Sequence, residues 1–330
     1  MSLALNKVTE QVIAGPWEPT ASPEAIRARA ALSQTIRQFF SHRNVLEVET
    51  PLLAQAPVTD PYLNAFQIAA SAYYLQTSPE YAMKRLLAAG LGSIYQMGKA
   101  FRSEEGGALH NPEFTVLEWY RVGFDLSALM DEVDALLQLV LGTPAARRFT
   151  YQALFEMHGG IDPHTASLAS LRTLVRDAGV ELSAAAMETL DRDDYLTLFI
   201  THVIEPKIGF DAPWFVYYYP ASQAALARLK SEGAVSVAER FEVYVQGVEL
   251  ANGYYELTDA DVQQARFRQD CAQRARLGLS QVPVDDRLVQ ALAAGVPDCS
   301  GVALGVDRLL MLQQGAKHID EVLAFPWRCA

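Results

Sequence analysis

The sequence contains few cysteines and no long apolar run. Its three cysteines, Cys271, Cys299 and Cys329, are scattered and form no C-x-x-C pair. This spacing argues against a disulfide framework or a zinc site and is typical of a protein kept in a reducing cytosol. No segment approaches the roughly 18 consecutive apolar residues that a membrane helix needs. The N-terminal segment MSLALNKVTEQVIAGPWEPT has no basic start followed by an apolar stretch, so no secretory signal is predicted, and we expect a cytoplasmic protein that does not bind membranes.

Basic residues are scarce relative to acidic ones. The chain has 27 Lys and Arg against 39 Asp and Glu, which gives a net charge of −12. This excess of negative charge disfavours sequence-independent binding to nucleic acid, because such binding depends on neutralising phosphates. With 330 residues, 50% of them hydrophobic, the chain can bury a large core in one large domain or two small ones.

Hydrophobic periodicity divides the chain into helices and strands. Residues 23–43 and 77–89 have helical spacing, and helical patterns dominate residues 125–205, which include an insertion at 159–205. Residues 44–53 alternate as a strand that is closed by a proline.

Two further strand patterns, at residues 94–103 and 113–122, flank a short loop and are expected to pair antiparallel. Strands joined by hairpins, with helices inserted between them, predict an α+β domain built on an antiparallel sheet. We expect this domain to span residues 23–330, after an N-terminal arm at residues 1–22.

Standard nucleotide-binding motifs are absent. In GSIYQMGKA, residues 92–100, five residues separate the glycines where a phosphate-binding loop has four, and Ala100 replaces the hydroxyl residue that binds magnesium. GLGSIY lacks the third glycine of a dinucleotide-binding fingerprint. A nucleotide, if bound, must be held by another arrangement.

The most unusual segment is FRSEEGGALHNPEFTVLEWY, residues 101–120. Strand alternation in its second half places Phe114, Val116, Glu118 and Tyr120 on one face. A buried, isolated carboxylate is costly, so Glu118 should meet a cation or a wet cleft. One interpretation is a structural ion pair with a nearby arginine, and the other is a functional site.

Two other segments favour the functional site. In ELANGYYE, Glu249 and Glu256 bracket an Asn-Gly pair that predicts a turn. In GVALGVDRLL, residues 301–310, small residues let a ligand approach the backbone, and Asp307-Arg308 is expected to open a helix. Two acidic segments and an arginine at a strand end suit a cation-bearing substrate together with phosphates and magnesium.

These segments resemble the three motifs of class II aminoacyl-tRNA synthetases, and specifically the lysyl-tRNA synthetase branch. The first motif corresponds to the helix and strand ending in VLEVETPLL, the second to FRSEEGGALHNPEFTVLEWY and the third to GVALGVDRLLML. The resemblance covers residues 23–327, nearly the whole chain. It implies a class II synthetase-like catalytic domain that activates an amino acid with ATP.

The resemblance assigns one group of residues to ATP. Arg102 would hold the α-phosphate and the nearby substrate carboxylate with its planar, permanently charged fork. Glu104 would accept from the adenine amino group, and Phe114 and Arg308 would sandwich the adenine ring. The implied ATP-binding residues are Arg102, Ser103, Glu104, His110, Asn111, Phe114, Glu249, Leu250, Gly305 and Arg308, with catalytic roles for Arg102 and Arg308.

A second group is assigned to the amino acid and to a metal. The implied substrate contacts are Ser78, Pro79, Glu80, Glu118, Tyr120, Glu256 and Ala303. Several carboxylates facing two ammonium groups suit a diamine such as lysine. Glu249 and Glu256 would hold Mg²⁺, which neutralises charge as pyrophosphate leaves.

Each of these residues alone also has a purely structural interpretation. Ser78-Pro79-Glu80 is a favourable helix start without any ligand. Tyr120 could be a core residue, and Arg308 could pair with the adjacent Asp307. The functional interpretation depends on the occurrence of all the residues together in the order of the family.

The chain departs from lysyl-tRNA synthetases in two respects. No segment ahead of the first motif is long enough for their anticodon-binding domain of roughly 100 residues or more, and with the acidic charge this predicts no tRNA partner. Ala303 replaces their usual glycine, and its methyl group would favour an isomer with a shifted amino group. With YPASQAALARL at residues 219–229, the chain is similar to truncated paralogues that transfer lysine or (R)-β-lysine to a lysine side chain of elongation factor P.

The sequence leaves three alternatives open. They are a shortened lysyl-tRNA synthetase that charges tRNA, a small-molecule amide synthetase, and a non-catalytic regulatory paralogue. A regulatory paralogue would be expected to lose motif residues, whereas the chain has all of Arg102, Glu104, Glu249, Glu256 and Arg308. Because the first motif generally forms the dimer in this fold, a homodimer through residues 32–53 is expected.

Overall fold

The structure of the chain is a computed structural model that describes residues 17–103, 106–183, 187 and 189–330. Its strands are β1 Leu46–Glu47, β2 Leu53–Ala54, β3 Tyr74–Leu75, β4 Ile94–Phe101, β5 Glu113–Val122, β6 Arg147–Thr150, β7 Trp214–Pro220, β8 Leu229–Glu232, β9 Val235–Val245, β10 Val248–Tyr255 and β11 Cys299–Gly305. Its helices are α1 Pro23–Ser41, α2 Glu80–Ala88, α3 Leu126–Leu141, α4 Tyr151–Gly159, α5 Leu168–Asp177, α6 Arg192–Phe199, α7 Ala260–Arg276, α8 Asp286–Gly295 and α9 Val306–Gln314. None of these helices is both long and apolar enough to span a lipid bilayer.

A nine-stranded sheet organises the described chain. Its order is β1-β4-β5-β11-β10-β9-β7-β6, with β8 beside β9, and its pairs are antiparallel except β1 with β4 and β6 with β7. The predicted α+β class and the predicted β4–β5 hairpin are confirmed. Strand β11 of the third motif lies directly against β5 of the second, with Ala303 opposite Glu118 and Gly301 opposite Tyr120.

The main hydrophobic core covers one face of the sheet. Helix α1 starts at Pro23, where the Ser22 side chain accepts from the backbone of the first turn, and buries Ile36 and Phe40 against Trp119 of β5. Helices α3 and α9 contribute to the same core. The opposite face carries α2, α7 and α8, with Phe267 and Leu288 among the residues packed near Tyr120.

The helical insertion and its neighbours form a separate cluster against β7. Residues of α4, α5 and α6 pack there, including Phe155, Leu171 and Phe199. The helical periodicity predicted for residues 125–205 is largely confirmed, but Arg147–Thr150 forms the edge strand β6. Residues 1–16 of the predicted N-terminal arm, and Glu104, lie outside the described residues.

Two local predictions are wrong. The strand predicted at residues 44–53 is reduced to the short strands β1 and β2. The Asn252-Gly253 pair lies inside β10 rather than in a turn. The reversal occurs earlier, at Gln246-Gly247, whose φ angles of 52° and 75° are the left-handed values that a tight hairpin turn requires. A Cβ atom on Gly253 would lie 2.5 Å from the Phe241 ring, so glycine is needed there for packing.

Candidate active site

A cavity of about 600 Å³ opens on the face of the sheet formed by β5, β10 and β11. The sequence-predicted residues that line it are Ser78, Glu80, Arg102, His110, Asn111, Phe114, Glu118, Tyr120, Glu249, Leu250, Glu256, Ala303, Gly305 and Arg308. The three separated motifs therefore converge on one cavity.

Strand alternation in β5 explains why these side chains meet. Phe114, Val116, Glu118 and Tyr120 all line the cavity, as their spacing predicts. Trp119 lies on the opposite face, where its indole N–H donates to Glu132 Oε2 at 3.1 Å.

Two predicted contacts do not line this cavity. The backbone N–H of Ser103 donates to the Asn64 carbonyl oxygen at 2.8 Å, and Ser103 is absent from the cavity wall. Pro79 directly precedes α2 and lines a neighbouring cavity of about 490 Å³. The prediction that Ser103 and Pro79 contact the ligands stays a prediction.

The acidic end of the cavity centres on Glu118. Its Oε1 accepts from the Tyr120 hydroxyl at 2.7 Å, and its Oε2 accepts from the Ser78 hydroxyl at 2.8 Å. The Ser78 hydroxyl also accepts from the Glu80 backbone N–H at 3.1 Å, so the helix start of α2 fixes this network. Ser78 is thus both a capping residue and a cavity residue.

Two further carboxylates complete the acidic end and share a buried partner. Lys84 Nζ lies 2.7 Å from Glu80 Oε1 and 2.6 Å from Glu256 Oε2. Lys84 was not identified from the sequence, although its i, i+4 spacing from Glu80 is a recognised helix pairing signal. The contact with Glu256 joins α2 to the segment after β10.

Burial of this end alters the protonation of its carboxylates. Desolvation and the charge of Glu80 raise the pKa of Glu118 to about 8. Desolvation also raises the pKa of Glu256 to about 7, although the Lys84 ammonium opposes that rise. Near neutral pH, the pocket without bound substrate therefore retains protons on the Glu118 and Glu256 carboxyl groups. A substrate with two positive charges would displace these protons.

We expect the affinity for a doubly charged diamino acid to increase as pH rises from about 6 to about 8.5. The side-chain ammonium group of the substrate stays charged in this range, whereas Glu118 and Glu256 lose their protons as pH rises through pKa values of about 8 and about 7. Calorimetric titration at pH 7 in two buffers of different ionisation enthalpy should show release of about one proton per bound molecule. Glu118→Gln should release fewer protons. An unchanged proton count in that variant would contradict the assignment.

Arg102 and Arg308 line the other end of the cavity, which is called the basic end. The Arg102 guanidinium carbon is 5.0 Å from the centroid of the Phe114 ring. Arg308 Nη1 donates to the Glu249 carbonyl oxygen at 2.8 Å, and Arg308 Nη2 lies 2.5 Å from His110 Nε2. This end therefore presents two guanidinium groups beside an aromatic ring, which suits phosphates and a planar base.

The alternative ion pair between Arg308 and Asp307 is wrong. The Asp307 carboxylate lies 2.5 Å from Arg29 of α1 and accepts from the Thr115 backbone N–H at 2.7 Å. Asp307 thus ties α1, β5 and α9 together, and Arg308 is left to face the cavity.

The prediction that Glu249 and Glu256 hold Mg²⁺ stays a prediction. Six residues of β10 separate Glu249 from Glu256, so their Cα atoms are roughly 20 Å apart. Glu256 is paired with Lys84.

The carboxylates near Glu249 are Glu205 and Glu242. Desolvation and the charges of Glu242 and Glu249 raise the pKa of Glu205 to about 7, and desolvation and Glu242 raise the pKa of Glu249. Among the described residues, no three His, Cys, Asp or Glu side chains converge on a common metal position. Glu242 was missed from the sequence, since only a hairpin at Gln246-Gly247 brings it near Glu249.

Comparison with known proteins decides the family. The family model described as "tRNA synthetases class II (D, K and N)" matches residues 18–328. The chain belongs to this family of class II tRNA synthetases. Strands β5 and β11 and helix α9, which carry the predicted second and third motifs, all lie within the matched residues.

Within the class II synthetases, the chain is similar to a narrower group. It is 52% identical over 322 residues to a Vibrio parahaemolyticus protein named elongation factor P–(R)-β-lysine ligase, across 95% of this chain and 99% of the relative. Proteins of the same name from Vibrio cholerae and Yersinia enterocolitica are each 53% identical, across 94% of this chain and 98% and 97% of the relatives.

Proposed function

We propose that the chain is an ATP-dependent, AMP-forming ligase that activates (R)-β-lysine and transfers it to a lysine side chain of elongation factor P. The observation that carries this proposal is one cavity with two ends of opposite charge. Arg102 and Arg308 at one end suit the phosphates of ATP, and Glu80, Glu118 and Glu256 at the other suit two ammonium groups. The choice of (R)-β-lysine as the isomer and of elongation factor P as the acceptor follows the names of the relatives.

The first step forms an aminoacyl-adenylate. A carboxylate oxygen of the amino acid attacks the α-phosphorus of ATP, a new P–O bond forms, and the bond to pyrophosphate breaks. Arg102 would bind the α-phosphate and the attacking carboxylate, so that both are held in line, while the acidic end anchors the ammonium groups. Positioning and charge neutralisation supply most of the catalysis in such a transfer.

The second step transfers the aminoacyl group. The neutral ε-amine of a lysine on elongation factor P attacks the carbonyl carbon of the adenylate. An amide C–N bond forms, the C–O bond to the phosphate breaks, the amine loses a proton, and AMP leaves. The acidic end keeps hold of the diamine during this step, because its contacts do not involve the reacting carbonyl.

We also propose that Mg²⁺ binds with ATP near Glu249. Magnesium in nucleotide sites is usually held by one or two carboxylates together with substrate phosphates, which fits Glu249 in the wall of the cavity. When bound, the ion would neutralise charge on the departing pyrophosphate. Glu256 lies at the acidic end and is paired with Lys84.

Pyrophosphate exchange tests the proposed function. We expect exchange with (R)-β-lysine to exceed exchange with α-lysine, and purified elongation factor P to gain the mass of one β-lysyl group. Absence of exchange with every diamino acid would favour a regulatory paralogue. Charging of tRNA without modification of elongation factor P would favour a shortened lysyl-tRNA synthetase.

Ala303→Gly should relax selection of the isomer. Ala303 lines the cavity and lies opposite Glu118 in the pairing of β11 with β5, so its methyl group occupies space beside the bound amino acid. We expect the ratio of exchange efficiency for (R)-β-lysine over α-lysine to fall about tenfold, the usual effect of one methyl-sized change. An unchanged or larger ratio would show that the methyl group does not select the isomer.

The proposal includes a homodimer formed through the first motif. Leu46, Leu52 and Leu53 in this segment are 52%, 41% and 50% exposed in the single chain, which is the type of apolar surface that a partner subunit covers. Sedimentation velocity at micromolar concentration should show a dimer, and a monomer alone would contradict this part of the proposal.

A further inference from the structure

Lys84 is a buried cation that stands directly behind the acidic end of the cavity. Its side chain is 1% exposed, and its ammonium group contacts both Glu80 and Glu256. These two carboxylates line the cavity, whereas Lys84 does not. Lysine is almost never fully buried unless it is paired, so the two carboxylates are the reason that it can lie there.

The fold holds Lys84 rigidly in this position. Its neighbours on α2, Met83 and Leu87, are buried at 0% and 1% exposure, and α2 packs closely against α8. The backbone N–H of Glu256 donates to the Cys299 carbonyl oxygen at 3.0 Å. Lys84 therefore joins a fixed helix to a fixed strand end and cannot follow the substrate into the cavity.

A role in stability alone is a weak explanation for such an arrangement. Replacing a buried ion pair by apolar side chains of similar size is often neutral or stabilising, because both charges must be removed from water. Here the two partners of Lys84 are carboxylates that the proposed function assigns to the substrate. The cation therefore affects the binding site itself.

The number of charges at this end has a simple consequence. When they are all ionised, Glu80, Glu118 and Glu256 supply three negative charges and Lys84 supplies one positive charge, which leaves two negative charges in this hydrogen-bonded group. A diamino acid brings two ammonium groups, so its two positive charges equal this negative charge.

The other arginines near this end are paired elsewhere. Arg228 donates to the Glu256 carbonyl oxygen and pairs with Asp298, and Arg240 pairs with Glu242. The Arg228 charge also lowers the pKa of Glu256, but by less than the Lys84 ammonium does.

We propose that Lys84 is a positioning and specificity-determining residue, which holds Glu80 and Glu256 in place and sets the charge of the pocket to match a substrate with two ammonium groups. This inference rests on the proposed function, because it names the charge class of the substrate at the same site. Without Lys84, the three carboxylates would repel one another or take up protons that the substrate must displace.

Lys84→Met tests this inference, since methionine keeps an unbranched side chain and removes the charge. We expect the KM for (R)-β-lysine in pyrophosphate exchange to rise about tenfold or more, the factor that corresponds to one pKa unit of altered charge interaction. The kcat and the KM for ATP should change less than about twofold. Lys84→Gln, which keeps hydrogen-bonding capacity without charge, should behave in the same way and serves if the methionine variant fails to fold.

The matched control is Lys230→Met. Lys230 lies on β8, its side chain is 43% exposed, and it does not line the cavity. All kinetic constants should stay at the wild-type values in this variant.

A double variant separates charge matching from simple structural support. Lys84→Met with Glu80→Gln again leaves two negative charges at the acidic end. We expect its KM for (R)-β-lysine to be no higher than that of Lys84→Met alone, although Glu80→Gln in the wild-type background raises KM. If the two effects instead multiply, Lys84 acts only as structural support and the inference is overturned.

Different experimental outcomes would contradict the role of Lys84 and the proposed ligase activity. Wild-type exchange with an unchanged KM in Lys84→Met would overturn the inference and leave the function intact. If the wild-type protein shows no exchange, the function fails, and calorimetric titration of both proteins with (R)-β-lysine tests the pocket directly. Equal affinity of the two proteins in that titration would overturn the inference as well.

Discussion

Arg102→Ala is expected to reduce aminoacyl-adenylate formation by at least about 10²- to 10³-fold, the loss seen when a preorganised charge-stabilising group is removed. Arg102 follows β4 directly, and its backbone N–H donates to the Pro112 carbonyl oxygen at 2.9 Å. Its guanidinium lies over the Phe114 ring, so both the backbone and the side chain are fixed. Pyrophosphate exchange at saturating amino acid measures the effect.

Two controls define the role of Arg102. Arg102→Lys keeps the charge and loses the planar fork, so it should recover only part of the activity. Arg147→Ala removes an exposed arginine that pairs with Asp211 and should leave exchange unchanged. Full exchange in Arg102→Ala would show that the α-phosphate is bound elsewhere.

Gly301→Ala is expected to reduce activation of the amino acid strongly without unfolding the protein. A Cβ atom at this position would lie 2.4 Å from the Tyr120 ring and 2.5 Å from Glu256 Oε1. Neither group can withdraw easily, because Tyr120 bonds to Glu118 and Glu256 is held by Lys84. The added methyl group would therefore displace the acidic end, and exchange should fall about 100-fold or more.

A glycine in the same sheet provides the control for Gly301→Ala. At Gly98 of β4 the nearest atom to an added Cβ is Gln96 Nε2 at 3.4 Å, which is an ordinary contact. Gly98→Ala should therefore retain exchange and a nearly unchanged melting temperature. If Gly301→Ala kept the wild-type KM for the diamino acid, the acidic end would not be the substrate site.

Local sequence patterns predicted the parts of the site that depend on one segment. Alternation along residues 113–122 placed Phe114, Glu118 and Tyr120 on one face, because a strand fixes side-chain direction with a period of two. The helix start at Ser78 and the helix opened by Asp307-Arg308 were predicted for the same reason, since capping and turn preferences act over a few residues.

The remaining parts depend on contacts between distant segments. The pairing of Lys84 with Glu256 has no local signal, because it requires α2 and the end of β10 to meet in the folded chain. The turn prediction failed because Asn-Gly is a strong turn signal, whereas the hairpin actually reverses at Gln246-Gly247. Gln246 adopts a left-handed φ that glutamine seldom takes, so composition could not locate that turn.

The position of β11 has a consequence for how the protein is made. This strand of seven residues near the C-terminal end of the described chain is inserted between β5 and β10, at the middle of the sheet. A ribosome releases the N-terminal strands first, so β5 waits with an open hydrogen-bonding edge until residues 299–305 emerge. Such an edge invites pairing with other chains. The nascent protein therefore depends on protection from aggregation until residues 299–305 have been synthesised.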